Sequence, residues 1–177
     1  MNTILETERL TLCRLTIADA AFILELLNDS AFLRFIGDRG VRNLEDARGY
    51  IINGPMDSYK QHGFGLYLAQ LKDGSLPAGI CGLLKRESLE DVDVGFAFLP
   101  QFRGKGYAYE SAAAVLAYGR SALGMDRIVA VTAPDNHASI NVLEKLGMHF
   151  EKLFRWPDDG QECKLFASSD PSRSDRL

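Results

Sequence analysis

The sequence predicts an α/β (α+β) fold built on one mixed sheet with helices on both faces. Three observations carry this. Apolar runs at 64–71 and 76–84 flank Lys72-Asp73-Gly74-Ser75, a hairpin signal that makes an antiparallel pair. A strand-like run from Val92 to Leu99 leads through a glycine turn into a helix-like run, Tyr107 to Tyr118, and then to another strand-like run, Arg127 to Ala133. Two last strand-like runs, His149 to Arg155 and Glu162 to Ala167, flank Pro157-Asp158-Asp159-Gly160, which has the residue types of a hairpin loop. Hairpins and a helical crossover in one chain imply a mixed sheet covered on both faces.

The remaining elements follow in order. Arg9 to Leu15 alternates and reads as the first strand. Thr16, with Asp19 three residues on, caps a helix that places Ile17, Ala20, Leu24 and Leu27 on one face. A second helix begins after Asn43, with Leu44, Ala47 and Ile51 at helical spacing, and Gly54-Pro55 interrupts it. The long helix after the glycine turn ends near Gly124, and a short one runs from about Ala138 to Leu146, closed by Gly147. Residues 168–177 are polar and Ser-rich and read as a frayed tail, leaving a single domain over 1–167.

Composition narrows the function classes. A chain of 177 residues has the size of one domain, and 46% hydrophobic with 25% charged residues is a globular balance. A formal charge of −4 argues against a broad basic surface for nucleic acid. No apolar run approaches the roughly 20 residues that span a bilayer, and Glu6 and Glu8 stand where a secretory signal would be basic. Cys13, Cys81 and Cys163 are odd in number and widely spaced, so they read as buried thiols in a reducing cytoplasm rather than as a disulfide or metal framework.

Gln101-Phe102-Arg103-Gly104-Lys105-Gly106-Tyr107-Ala108 is the most informative stretch. Two glycines one residue apart permit a tight turn and leave main-chain N–H groups open to a ligand. The helix start adds unpaired N–H groups and a partial positive charge, which suits a phosphate. Taken alone, the turn also fits an ordinary strand–helix connection. A Walker-type loop is excluded because Gly106 follows Gly104-Lys105, and a dinucleotide fingerprint is excluded because Tyr109 holds the third glycine's place.

What remains, Q-x-x-G-x-G after a strand, resembles the acetyl-coenzyme A signature of the GNAT acetyltransferases. Further pieces match in order. Asp93-Val94-Gly95-Phe96 is similar to the E-I-G-Y strand of the ribosomal-protein N-terminal acetyltransferase (RimJ/RimL-like) branch. Pro134-Asp135-Asn136-His137-Ala138-Ser139 with Val142-Leu143-Glu144-Lys145-Leu146-Gly147-Met148 resembles that branch's P-x-N-x-x-S-x-x-V-L-E-K-x-G-F, with Met148 in place of Phe. The opening Leu5-Glu6-Thr7-Glu8-Arg9-Leu10 resembles its L-E-T-E-R-L start. The likeness spans about residues 5 to 155. It implies a mostly antiparallel sheet of about six to seven strands, split between the fourth and fifth, here 91–99 and 127–133.

The resemblance also implies an activity: N-acetyl transfer from acetyl-CoA to a primary amine, either a protein N-terminus or a small molecule, by direct attack without a metal. A pyrophosphate would lie on the N–H groups from Arg103 through Gly104, Lys105, Gly106 and Tyr107 to Ala108. The pantetheine arm would pass Phe98 and Leu99, with Asn136 in contact. Leu143 stands where many members have a proton-donating tyrosine, and the branch offers Ser139 one turn earlier. Asn136 and Ser139 are equally cap residues for a short helix. Asp93 holds the place of the branch's glutamate and is the leading candidate for the base; strand alternation puts it on one face with Asp91, where both also fit a solvated surface. His62 and His137 are candidates by residue type only. Arg34, Arg39, Arg42 and Arg48, near Phe32 and Phe35, gather in the segment that would cover the acceptor end. The alternative to an enzyme is a non-catalytic acyl-CoA sensor, which the missing tyrosine keeps open. A homodimer is compatible with either reading.

Overall fold

The computed structural model describes residues 2–168. Eight strands form one sheet: β1 (Thr3–Glu6), β2 (Leu10–Arg14), β3 (Leu66–Leu71), β4 (Pro77–Leu84), β5 (Asp93–Phe98), β6 (Val129–Thr132), β7 (Met148–Arg155) and β8 (Glu162–Ser168). Their spatial order is β1-β2-β3-β4-β5-β6-β8-β7, antiparallel throughout except for the β5–β6 pair. The strand beyond the expected count is β1, only four residues long and too short for alternation to reveal. Ser168, expected in the tail, is the last residue of β8, and its hydroxyl accepts from Ile128 N at 3.2 Å. The rest of the expected tail, 169–177, lies outside the described residues.

Helices α1 (Ala20–Leu27), α2 (Ser30–Phe35), α3 (Leu44–Ile51) and α4 (Asp57–His62) precede the central strands, and α5 (Tyr107–Ser121) and α6 (His137–Lys145) follow them. Alternation along β3 and β4 divides the core in two. Tyr67, Ala69, Cys81 and Leu83 face Ala112, Val115 and Leu116 of α5. Leu68 and Ile80 face Ile23, Leu26 and Ala47 of α1 and α3. Helices therefore cover both faces, as the sequence predicts.

Two local expectations are corrected. Asp19 does complete the capping box with Thr16, but the box opens a short 3₁₀ turn over Ile17–Asp19 before α1. Ile17 is therefore 52% exposed, and the buried face of α1 is Ala20, Phe22, Ile23, Leu26 and Leu27. Gly54-Pro55 does not break the second helix. A π turn over Ile52–Met56 absorbs the proline, which has no N–H to give, and leads straight into α4. The segment α2, also unread from sequence, starts where Asp29 accepts from Ala31 N and Phe32 N at 3.1 and 3.2 Å. Among the described residues no helix is long and apolar enough to cross a membrane.

Candidate active site

The parallel pair β5–β6 is joined by Val129 N donating to Val92 O at 3.0 Å, and by one residue pair, Asp93 with Val129. Beyond it the strands diverge. Leu99 N bonds Ala78 O in β4 at 3.0 Å, so odd-numbered residues of β5 turn their backbone to β4 and even-numbered ones turn theirs to the opening. Phe96 thus presents its N–H to the gap. Phe98 does likewise, and its carbonyl is taken by Arg103 Nε at 2.9 Å. The split lies between the strands expected from sequence.

A cavity of about 500 Å³ fills the gap. Asp93, Asn136 and Ser139 all line it, so the structure brings together three candidates that lie up to 46 positions apart. Asp93 is only 2% exposed, not a solvated acid, and is held by Arg86 Nε at 2.9 Å. Burial pushes its carboxyl pKa up, and this outweighs the opposing pull of the Arg86 guanidinium. Asp91 is not its partner, since it faces Arg127 Nε at 2.9 Å. Arg86 also lies over the Trp156 ring at 5.3 Å, and Trp156 Nε1 donates to Cys163 Sγ at 3.2 Å. Tyr50, Arg86, Trp156 and Cys163 all line the cavity, and none was legible in the sequence as a site residue. They come from α3, the loop after β4, the loop after β7 and β8, with no shared motif.

The two roles of the Asn136–Ser139 pair are now separable. Asn136 Oδ1 accepts from Ser139 N at 3.2 Å, so Asn136 is the cap of α6. The Ser139 hydroxyl caps nothing; among the described residues no hydrogen bond engages it. Leu143, one turn on, is buried core. Asn136→Ala is expected to cost about 1 kcal/mol of stability without ligand, read by urea denaturation. Full stability in that variant would mean the cap is dispensable.

The glycine turn lies at the end of β5, outside the cavity lining. Gly104 and Gly106 have φ of 72° and 84°, a region L side chains rarely adopt, and Gly106 immediately precedes α5. Among the described residues no backbone carbonyl accepts from the N–H groups of Gly104 through Ala108. Arg103 departs from expectation. Its N–H donates to Pro100 O at 3.2 Å, and its guanidinium is spent on Phe98 O and on Asp29. The open N–H run therefore begins at Gly104. The side chains of Phe98 and Leu99 are buried in the two cores and neither lines the cavity; of the two, Phe98 turns its backbone to the gap and Leu99 turns its own to β4.

The turn is tied down by residues the sequence marked only through the L-E-T-E-R-L resemblance. Glu110 Oε1 accepts from Thr7 Oγ1 at 2.6 Å and from Arg9 N at 2.7 Å, and Oε2 accepts from Arg9 Nε at 2.7 Å. Arg9 Nη1 reaches Lys105 O at 2.8 Å, and the guanidinium lies 4.4 Å from the centre of the Tyr107 ring. Burial alone would raise the Glu110 pKa, but the bonds from Thr7 and Arg9 outweigh it and hold the carboxylate ionised below its usual range. A Cβ on Gly106 would come within 3.2 Å of Arg9 Nη2.

His62 stacks on Phe64 and lines a separate hollow, and His137 is exposed outside the cavity. No group of three or more metal-ligating side chains is found among the described residues. An extended thioester fits the observed parts: open N–H groups for its phosphates and a gap between strands for its arm.

The pattern of the acetyltransferase (GNAT) domain matches residues 9–149. The chain is 29% identical over 149 residues to the uncharacterized N-acetyltransferase YnaD of Bacillus subtilis, covering 84% of both proteins. It is 30% identical over 157 residues to the uncharacterized N-acetyltransferase YoaA of the same organism, covering 88% of each. A GNAT-family acetyltransferase from Bacillus anthracis superposes with a TM-score of 0.77 at 26% identity, over 93% of this chain and 96% of its own. RimL, a ribosomal L7/L12 α-N-protein acetyltransferase in complex with coenzyme A, superposes with a TM-score of 0.81 over 94% and 97%; at 18% identity it speaks for the fold alone.

Proposed function

The chain belongs to the GNAT acetyltransferase family, and from that premise we propose that it transfers the acetyl group of acetyl-CoA to a primary amine, on a protein N-terminus or a small molecule, by direct attack in a ternary complex. The observation that supports this best is the cavity in the β5–β6 split, which gathers Asp93, Asn136 and Ser139 around exposed backbone of β5. In this reading the N–H groups from Gly104 to Ala108 receive the pyrophosphate, as an anion at a helix start. Asn136 contacts the pantetheine arm, and Phe96 N–H supports the thioester oxygen as charge develops on it.

Asp93 takes, directly or through water, the proton that the acceptor ammonium must lose before its nitrogen can attack. The neutral amine nitrogen bonds the acetyl carbon, the carbon–sulfur bond breaks, and Ser139 supplies a proton to the departing thiolate, while the proton that the nitrogen sheds as the amide forms returns through solvent to the serine hydroxyl. No covalent enzyme intermediate is needed.

Two linked measurements test the reading. Acetyl-CoA at a hundredfold excess over its dissociation constant should stabilise the fold by about 2.7 kcal/mol. Gly106→Val should remove most of that gain, because the side chain strains a positive φ and displaces the Arg9 guanidinium that steadies the turn. Wild-type affinity in the folded variant would place the phosphates elsewhere. Coenzyme A release with a panel of amines then separates an enzyme from a sensor: binding without release from any amine would favour the sensor.

A further inference from the structure

The four arginines near the acceptor end are not equivalent. Arg34 pairs with Asp135 at 3.0 Å and lies over the Phe35 ring, Arg42 pairs with Asp38, and Arg48 pairs with Glu45 at 3.4 Å. Of the four, only Arg39 lines the cavity, and among the described residues no carboxylate lies within ion-pair distance of it. Its nearest acid in sequence, Asp38, is committed to Arg42 through two contacts. The other cation in the lining is Arg86, whose charge is met by the buried Asp93. The cavity thus carries one uncommitted positive charge, set at its N-terminal wall beside Phe32, Phe35 and Tyr50. The hairpin loop between β7 and β8 contributes Asp158 and Asp159 to the same lining.

An acceptor with a single positive charge and no anion would leave Arg39 unpaired and face like charge on that wall. An acceptor that carries an anion as well as an amine can pair Arg39 with the one while the other meets Asp93, which lines the same cavity. The volume, about 500 Å³ and shared with the pantetheine arm, suits a small molecule. We propose that the acceptor is a small amine bearing a carboxylate, an α-amino acid or a close analogue, and that Arg39 binds the carboxylate and so determines specificity. The aromatic pair Phe32 and Phe35 would take an apolar side chain. This rests on the amine-transfer reading above and narrows it.

The test measures coenzyme A release by the full-length protein with the common α-amino acids and, for each, its α-carboxamide. Peptides with a free N-terminus and an amidated C-terminus serve as the protein-acceptor arm. For the preferred acceptor, the acid should exceed its amide in kcat/KM by about tenfold or more, through KM, as expected for a charge-assisted contact. Arg39→Gln should bring the acid-to-amide ratio close to one, while Arg39→Lys should keep part of it. Amides or amidated peptides turning over as well as acids would overturn the proposal and leave amine transfer standing. A ratio unchanged in Arg39→Gln would remove Arg39 from recognition. Acetyl-CoA binding without release from any acid, amide or peptide would overturn this proposal, and the absence of release from the wider amine panel as well would overturn amine transfer itself.

Discussion

Ser139→Ala is expected to lower turnover by about 10²–10⁴, the range attributed to a positioned proton donor, with acetyl-CoA affinity and thermal midpoint close to wild type. The substitution is clean because the hydroxyl caps nothing: the α6 start is held by the Asn136 side chain, which accepts from the Ser139 backbone N–H that alanine keeps. The nearby Leu143 is buried and has no proton to give, so no neighbour on the same helix face can take over. A fall in midpoint matching the fall in rate would point to a structural task instead. Unchanged turnover would remove Ser139 from the chemistry and direct attention to the other cavity hydroxyl donors, Tyr50, Ser88 and Thr132.

Asp93→Asn is nearly isosteric and should cost a comparable factor at pH 7, with a pH profile that identifies the cause. An amine acceptor is mostly protonated at neutral pH, so its proton must go somewhere before attack. Burial raises the Asp93 pKa, which brings the carboxylate closer to the operating pH and makes it a stronger base than a surface aspartate. The deficit of the asparagine variant should therefore shrink as pH rises toward the amine's own pKa, where the acceptor arrives already neutral. A flat deficit across that range would mean that Asp93 serves to hold Arg86 against Trp156, a positioning role that the 2.9 Å ion pair would also explain. Identical profiles would leave water or another group as the acceptor.

The parts of this molecule that sequence could reach are those with local causes. The glycine turn, the α5 helix after it, both hairpin loops and the Asn136 cap are each specified within a few neighbouring residues, and each is found where expected. Residues whose role depends on distant partners were not legible. Alternation correctly put Asp93 on one face of its strand, but periodicity does not say whether that face is covered, and here Arg86 and the cavity walls cover it. Arg103 read as part of the phosphate-binding run because its partner, Asp29, is 74 positions away. The four N-terminal arginines looked alike until their carboxylates were located, and only Arg39 came out uncommitted. The π turn at Ile52–Met56 escaped because proline ordinarily ends a helix, and only the surrounding packing shows why it does not here.

The clamp of Thr7 and Arg9 on Glu110 joins positions 103 and 101 residues apart, and it ties the turn after β1 to the first turn of α5. Free energy invested at one end of such a clamp is shared by the other. A ligand that settles on the N–H groups of the glycine turn should therefore slow amide hydrogen exchange in Leu5 and Thr7, at the margin of the sheet. Linkage makes the exchange of influence mutual: whatever loosens that margin weakens the anion by the same factor. A bulky extension fused ahead of the chain is then not a neutral label, because it pulls on the strand that leads into the clamp on the glycine turn.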